Sequence, residues 1–501
     1  MGLLACVGLA VRLQAWADGA APDELGTVQP GDFLAVLLDP EAGVNPPVWR
    51  LLTNPWLPDW SSLRAGRVIA LACGVAGIPA AGWLGWRAGG RSALAATLAA
   101  ALVALHPVHV VWSTMFRVYT LAFLLMTLHL GLVGRWLERP EGRGRMAAVV
   151  ATAAVLPWLH YVTVPWLVGV GLGAALVVPG ARRLPLLYVP AALGTAPLAW
   201  AVLTQPDRRV EHLEPAASTL AKVLGTGLHA PSVVIGQGGR LLRALGGSGL
   251  SSQAWMAWLV VASLLLGLGA WRRLAPEARL AWLSTAAVGV AVLGLARIQY
   301  VRTPTAVFVL VGLAPWLGAL PGVVPWRGAW RAVRMVAVAA LLGLLGAALR
   351  VDLPAALAQA RARDAWLEVL DGLIGTGSLP APEGVLHLTP SYAASFLWFH
   401  ATRLHPARHQ ARGPCRGAGS CFEAGPWVFR GVDGPDGLQG VVVSVDDHPS
   451  PVWDATCARL PSGAGWHAWR CGEEPTAATP GSLAPPAEEG GLSSSAPAPR
   501  R

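Results

Sequence analysis

Charge is what this sequence has least of. Only 13% of its residues are Asp, Glu, Lys or Arg, where a soluble domain carries about 25%. The deficit runs through most of the first 350 residues, so it is not the signature of one apolar core helix, and a wholly water-soluble chain is excluded. Lysine is almost missing: Lys222 is the single one, and the formal charge of +10 rests on arginine. Those arginines form no continuous stripe. They sit in small groups between apolar runs, which reads as membrane topology and argues against nucleic acid as a partner. Soluble-enzyme signatures are absent as well: there is no P-loop, no GxGxxG on a strand, no HExxH and no GxSxG in a credible context. Cysteine is scarce in the apolar part, where only Cys6 and Cys73 occur.

What is present is apolar length. The chain is 54% hydrophobic, with a mean hydropathy of +0.49. A run of about 20 apolar residues crosses hydrocarbon as a helix, because only a helix satisfies its own backbone there. Runs of this kind predict about eleven spans, near 2–17, 66–86, 92–112, 118–137, 147–160, 162–179, 184–203, 252–271, 280–297, 303–321 and 332–350. The first is expected to be a retained anchor rather than a signal peptide, since it lacks a basic n-region and an Ala-x-Ala exit, and Arg12 within it is expected to snorkel to an interface. The stretch 147–179 is too long for one crossing and contains Pro157 and Pro165, so it is split at His160–Tyr161. The fold class is therefore a polytopic α-helical membrane protein with a small C-terminal α/β domain outside.

Orientation follows from arginine. With the N-terminus cytoplasmic, the inner loops hold Arg87 and Arg91, then Arg135, Arg139, Arg143 and Arg145, then Arg182 and Arg183, then Arg272, Arg273 and Arg279, and finally Arg327, Arg331 and Arg334. Short basic loops of this kind are what set orientation. Residues after 350 then fall on the extracytoplasmic, periplasmic side of the plasma (inner) membrane. Cys415, Cys421, Cys457 and Cys471 all lie there, which suits an oxidising compartment. Three pairings are open; short spacing favours Cys415–Cys421 with Cys457–Cys471, and a zinc site is the rival, although the spacing is not CxxC.

Three domains follow: a transmembrane domain 1–350 that includes an outer loop 18–65, an α/β domain 351–472, and a tail 473–501 whose Glu, Pro, Ala, Gly and Ser cannot bury a core. In the α/β domain a helix is expected over 354–375, strands over 384–389 (GVLHLT) and 440–445 (GVVVSV), and a helix over 391–403.

Candidate chemistry sits at the outer membrane edge. Asp23 and Glu24 follow the first span, where a partly desolvated carboxylate reaches general-base range; the bland reading is a solvated loop. Arg117 and Tyr119, in STMFRVYTL between two spans, could grip a phosphate, or be an interfacial anchor and belt aromatic. His160 with Tyr161 interrupts an apolar run, as a core histidine also would. Arg297, Tyr300 and Arg302 precede the tenth span, with simple anchoring as the alternative. Under the topology above, all four groups fall on one side.

The order of these features (a first span, an outer loop with Asp23-Glu24, the Pro46-Pro47 turn, then SLRAGRVIAL, LHPVHVVWSTMFRVYTL and LPWLHYVTVPWLV) resembles the polyprenyl-phosphate-sugar-dependent GT-C glycosyltransferases, the group that includes protein O-mannosyltransferases and lipid A aminoarabinose transferases. The likeness covers roughly 1–180 well and 295–320 loosely. It implies that Asp23 is the base, with Glu24 its partner, in an inverting transfer. It further implies that Arg117 and Tyr119 hold the donor phosphate, that His160 and Tyr161 line the cavity, and that Arg302 faces the phosphate. At Arg302 the chain departs from the pattern, reading QYVRTP where members carry an Arg-Tyr pair before Pro. It also has Asn45 where many carry His before Pro-Pro, so no cofactor is assigned and a divalent metal stays open. The implied donor is a polyprenyl-phosphate sugar; the acceptor is a lipid, a glycan or a protein. Two rivals stand beside this reading: a transporter or flippase of a lipid-linked solute, which should show internal repeats and broken mid-membrane helices, and a non-catalytic scaffold, for which the outer acids would be dispensable.

Overall fold

The computed structural model describes residues 1–16, 63–160, 162–196, 263–295 and 305–323, scattered positions between 332 and 346, residues 348–361, and then 385–389, 421–424, 427–431, 440–444, 457–460 and 467–471. The chain divides into two compact units, one of Met1–Leu370 with Ser395–His409 and one of Asp371–Ala394 with Gln410–Arg501.

The first unit is helical. Its main elements are α1 (Gly2–Gln14), α2 (Leu63–Ala88), α3 (Ala93–Leu105), α4 (Pro107–Trp112), α5 (Tyr119–Glu138), α6 (Arg143–Leu159), α7 (Thr163–Val177), α8 (Leu184–Leu187), α9 (Val189–Gly194), α10 (Pro276–Leu295), α11 (Thr305–Val323) and α12 (Leu353–Arg361). Among the described residues, two helices are long and apolar enough to cross a membrane, Gly66–Ala88 and Tyr119–Glu138, and four shorter ones are apolar as well. Their outward faces are apolar too. On α7 the exposed side chains Val164, Val168, Leu172 and Leu176 recur every fourth residue, opposite buried Trp166, Leu167, Val170 and Ala174. One such stripe in water would be an exposed patch calling for a partner; in hydrocarbon it is the natural outside of a helix.

Proline sets most of the breaks. The expected span 92–112 is two helices, because Pro107 confines His106 to extended backbone (φ −67°, ψ 120°) and then starts α4 at its first turn. The expected span from 184 is likewise interrupted: through residue 194 it is two short helices, each with proline in its first turn and meeting at Tyr188. The division near His160 is as expected, with α6 ending at Leu159 and α7 starting at Thr163. Pro165 lies inside the first turn of α7, where a missing N–H costs nothing.

Small residues let the helices close up. A Cβ at Gly85 would meet Ala99 at 2.5 Å, and one at Gly318 would meet the Ala95 carbonyl at 2.7 Å, so α2 and α11 both approach α3 at backbone distance, as membrane helices do. Polar ties are few. Trp166 Nε1 donates to Ser284 Oγ at 2.8 Å, joining α7 to α10. His129, midway along α5, uses both ring nitrogens. The Thr152 hydroxyl donates to the Ala148 carbonyl (2.8 Å), so it accepts from Nδ1 of His129 (2.8 Å), and Nε2 then accepts from Tyr188 OH (2.8 Å). At one end Arg87 bridges buried Glu277 and exposed Glu138. The helix α12, which the composition grouped with the outer domain, packs Leu353 and Ala360 against Ala15 and Val110.

The second unit holds a six-stranded sheet of β1 (Val385–Thr389), β2 (Cys421–Ala424), β3 (Trp427–Gly431), β4 (Gly440–Ser444), β5 (Ala458–Arg459) and β6 (His467–Cys471), in the order β2-β3-β1-β4-β6-β5. The two expected strands are β1 and β4. They are parallel neighbours, with Leu386 opposite Val441, and a parallel pair requires a crossover connection. The expected helix 391–403 lies outside the described residues, as does the tail. A small core of Val442, Trp469 and Cys471 closes on Cys457, and Cys457 is disulfide-bonded to Cys471 across 14 residues. Cys415 lies outside the described residues, so its expected bond to Cys421 is not described. A loop of that length predicts that Cys457→Ser removes about 3 kcal/mol from this unit. Trypsin digestion of the full chain with and without a reductant checks it: accelerated cleavage within 410–501 is expected, and an unchanged rate would refute the contribution.

Candidate functional site

The turn between α4 and α5 is built from its hydrogen bonds upward. Ser113 ends α4 and donates its hydroxyl to the His109 carbonyl at 2.5 Å. Thr114 Oγ1 donates to the Val111 carbonyl at 2.9 Å. The Arg117 N–H then donates to the Met115 carbonyl at 2.7 Å, which tightens the chain before α5. At the start of α5, Thr120 Oγ1 donates to the Ala70 carbonyl at 2.9 Å and pins this corner to α2. Met115, Phe116 and Arg117 are all buried. The Phe116 ring lies against Gly66, next to Arg67, which is itself fully buried.

From this corner the Tyr119 ring meets three others: Trp112 at 4.8 Å edge-on, His160 at 5.4 Å and Phe308 at 5.9 Å. His160 and Phe308 are 4.7 Å apart. His160 is held by the turn it makes. Its carbonyl accepts from the Thr163 N–H (3.0 Å) and hydroxyl (2.7 Å), and its Nδ1 accepts from the Val162 N–H at 3.2 Å. That last bond leaves the ring proton of the neutral form on Nε2. Arg117 and His160 are near enough to interact electrostatically. Three of the sequence-derived residues, Arg117, Tyr119 and His160, thus come together although they lie on both sides of two helices. Asp23, Glu24, Tyr161 and Arg302 lie outside the described residues.

Arg12 departs from its expectation. It does not snorkel to an interface; it is fully buried. Pro107 has no N–H to give the Val103 carbonyl four residues back, and the Ala104 carbonyl lies in the same broken turn. Arg12 donates to both, at 3.2 and 3.0 Å, and also to the Gly8 carbonyl (2.8 Å), Ser113 Oγ (3.1 Å) and His109 Nδ1 (2.8 Å). A cation at the C-terminal end of α3 also suits that helix's dipole. Through Ser113, Arg12 braces the segment that carries Arg117.

Sequence reasoning gave no part to Arg12, Arg67 or Phe308. The proline at 107 was the available signal for the first, since it orphans a carbonyl that something must satisfy. Phe308 had no signal beyond its apolar helix. Among the described residues, no three His, Cys, Asp or Glu side chains converge as a metal set. The arginines sort by end. Arg12, Arg67 and Arg117 are buried near the α4–α5 corner, whereas Arg139, Arg182 and Arg183 are exposed at the α5–α6 and α7–α8 turns.

No protein-family model matches the chain, and no curated protein matches it. Among solved structures, the chain is similar to that described as the crystal structure of ArnT from Cupriavidus metallidurans in the apo state, with 16% sequence identity and a TM-score of 0.46 over 94% of this chain and 98% of that one.

Proposed function

We propose that this chain is a multi-pass membrane glycosyltransferase that moves a sugar from a polyprenyl-phosphate donor to an acceptor on the extracytoplasmic side. The observation that carries the reading is the gathering of Arg117, Tyr119 and His160 with Phe308 at one corner of an apolar helical unit. The sequence resemblance implies phosphate contacts for Arg117 and Tyr119 and a cavity-lining place for His160, and nothing local in the sequence requires His160 to meet the other two. Asp23 follows Ala15 by eight residues, a reach of at most about 28 Å, and Ala15 packs on Val110 beside the same corner.

In this reading the Asp23 carboxylate takes the proton of the acceptor nucleophile, with Glu24 as its partner. The nucleophile forms its bond to the anomeric carbon from the face opposite the phosphate. The bond from that carbon to the phosphate oxygen breaks, and the electron pair leaves with the phosphate. The configuration inverts. A phosphate leaving group needs positive charge more than a strong acid, and Arg117 supplies it, with Arg302 as a second candidate. Tyr119 stands with Arg117 at the phosphate, and His160 and Tyr161 line the cavity. The lipid lies between helices, so no nucleotide-binding fold is needed. The α7 stripe of exposed Val164, Val168, Leu172 and Leu176 supports a lipid-facing surface. The Cys457–Cys471 bond supports an oxidising side for the second unit, in keeping with the orientation read from the arginines, with the N-terminus cytoplasmic and the C-terminal domain outside.

The test is transfer in proteoliposomes from a panel of radiolabelled polyprenyl-phosphate sugars to candidate acceptors. Asp23→Asn is expected to lower transfer by about 10²-fold or more, the usual contribution of a positioned base. Unchanged transfer in that variant would remove Asp23 from the mechanism. Donor that crosses the vesicle membrane with its sugar still attached would point to a flippase instead.

A further inference from the structure

At the end of the helical unit opposite the α4–α5 corner, an open cavity of about 940 Å³ has Arg139, Glu141, Gly142, Gly180, Arg182 and Arg183 in its lining. Two turns distant in sequence build it, the α5–α6 turn and the α7–α8 turn. Gly180 has φ +81°, a conformation that favours glycine, and it reverses the chain so that the short 3₁₀ turn Ala181–Arg183 follows directly. Trp136 Nε1 donates to the Pro140 carbonyl at 3.1 Å, and Arg145 donates to the Arg135 carbonyl at 2.9 Å, which fixes the other wall. Arg139, Arg182 and Arg183 are exposed, and among the described residues their side chains make no ion pair. Glu141 is the one acid in the lining. Gly142, the N-cap of α6, makes no side-chain bond and lines the same cavity, so the positive end of a 17-residue helix dipole lies at its wall.

Charge alone would be satisfied by any anion. The surroundings narrow the choice. The exposed apolar stripe of α7 ends at Leu176 and Val177, three residues before Gly180, and exposed Leu186 follows Arg183 by three. A ligand with phosphate at one end and hydrocarbon at the other matches both surfaces at once, as basic pockets between membrane helices do. We propose that this cavity binds the phosphate headgroup of an anionic membrane phospholipid, with its acyl chains along the outer face of α7. The site is separate from the proposed transfer site and does not depend on it.

The alternative is that these arginines serve orientation only. The experiment counts lipid adducts on the full-length, detergent-solubilised protein by native mass spectrometry during titration with dioleoylphosphatidylglycerol or dioleoylphosphatidylcholine. Phosphatidylglycerol is expected to be retained preferentially. An arginine near a headgroup strengthens binding about fivefold, so Arg139→Ala with Arg182→Ala and Arg183→Ala is expected to weaken retention about a hundredfold. Arg272→Ala with Arg273→Ala removes exposed arginines outside the cavity and is expected to leave it unchanged. Gly142→Asp is the variant that guards against misfolding. Gly142 has φ −73° and ψ 97°, and a Cβ there meets only ordinary contacts, at 3.5 Å or more. The new carboxylate caps α6 while placing negative charge in the cavity. That variant should melt no lower than the wild type and lose phosphatidylglycerol at least fivefold. Equal retention of the two lipids, or equal losses in the cavity and control variants, would overturn the site. Displacement by inorganic phosphate at lipid-equivalent concentration would overturn the lipid assignment.

Discussion

Arg12→Ala is expected to destabilise the helical unit by about 2–4 kcal/mol. Interhelical hydrogen bonds in membranes average only about 0.6 kcal/mol, because a chain unfolded within the bilayer also finds partners. Arg12, however, makes four of them at once, to Val103, Ala104, Ser113 and His109, besides its bond to Gly8 in its own helix. Its loss also leaves the Val103 carbonyl beside a proline that cannot serve it, and an orphaned buried acceptor costs about 1–3 kcal/mol. Arg12→Lys keeps the charge but replaces the planar fork with three donors on a point, so about half the loss is expected to remain. Unfolding of the purified protein in detergent, followed by tryptophan fluorescence, measures both. A change in Arg12→Ala within about 0.5 kcal/mol, the range of a neutral surface substitution, would show that the bonds around Pro107 are replaced by others.

Arg117→Ala is expected to lower kcat/KM for sugar transfer by about 10²–10³-fold, the cost of removing one preorganised donor from developing charge. The charge that builds on the departing phosphate is the quantity this residue would meet. Arg117→Lys should recover part of the activity and not all, since an ammonium keeps the charge but loses the two-pronged grip on phosphate oxygens. Because Arg117 is buried, folding must be read separately, by the same unfolding transition in detergent. Tyr119→Phe keeps the ring contacts with Trp112, His160 and Phe308 and removes only the hydroxyl, and is expected to lower transfer less than Arg117→Ala does. Full transfer by a folded Arg117→Ala protein would remove this corner from the chemistry.

Hydropathy reveals apolar helices well, because membrane burial acts on each residue separately. The positions of α2, α5, α10 and α11, the break at His160, and the strands β1 and β4 all follow from local composition. The breaks at His106 and Tyr188 were missed because apolar proline-containing runs score as continuous, although Pro107, Pro185 and Pro190 were there to be read. Strands β2, β3, β5 and β6 were missed for a different reason. Strands β2 and β5 have only four and two residues, and β3 (WVFRG) and β6 (HAWRC), although as long as β1, carry arginine among their apolar residues. Strands β3 and β6 are held by pairing with β1 and β4, and β2 and β5 only by pairing with β3 and β6.

The sequence by itself determined where the chain is apolar, where proline interrupts it, and which arginines mark its ends. Only the tertiary structure decided what the polar side chains in that apolar frame are for. Arg12 meets Ser113 across 101 residues and Ala104 across 92, and Tyr119 meets Phe308 from a distant helix. The physical reason is the medium. An apolar residue is satisfied by almost any apolar neighbour, so its placement can be read from composition, whereas a buried cation or imidazole needs particular acceptors in a particular direction. Those acceptors are carbonyls freed by a proline and rings brought in by packing, and neither is visible until the helices are side by side.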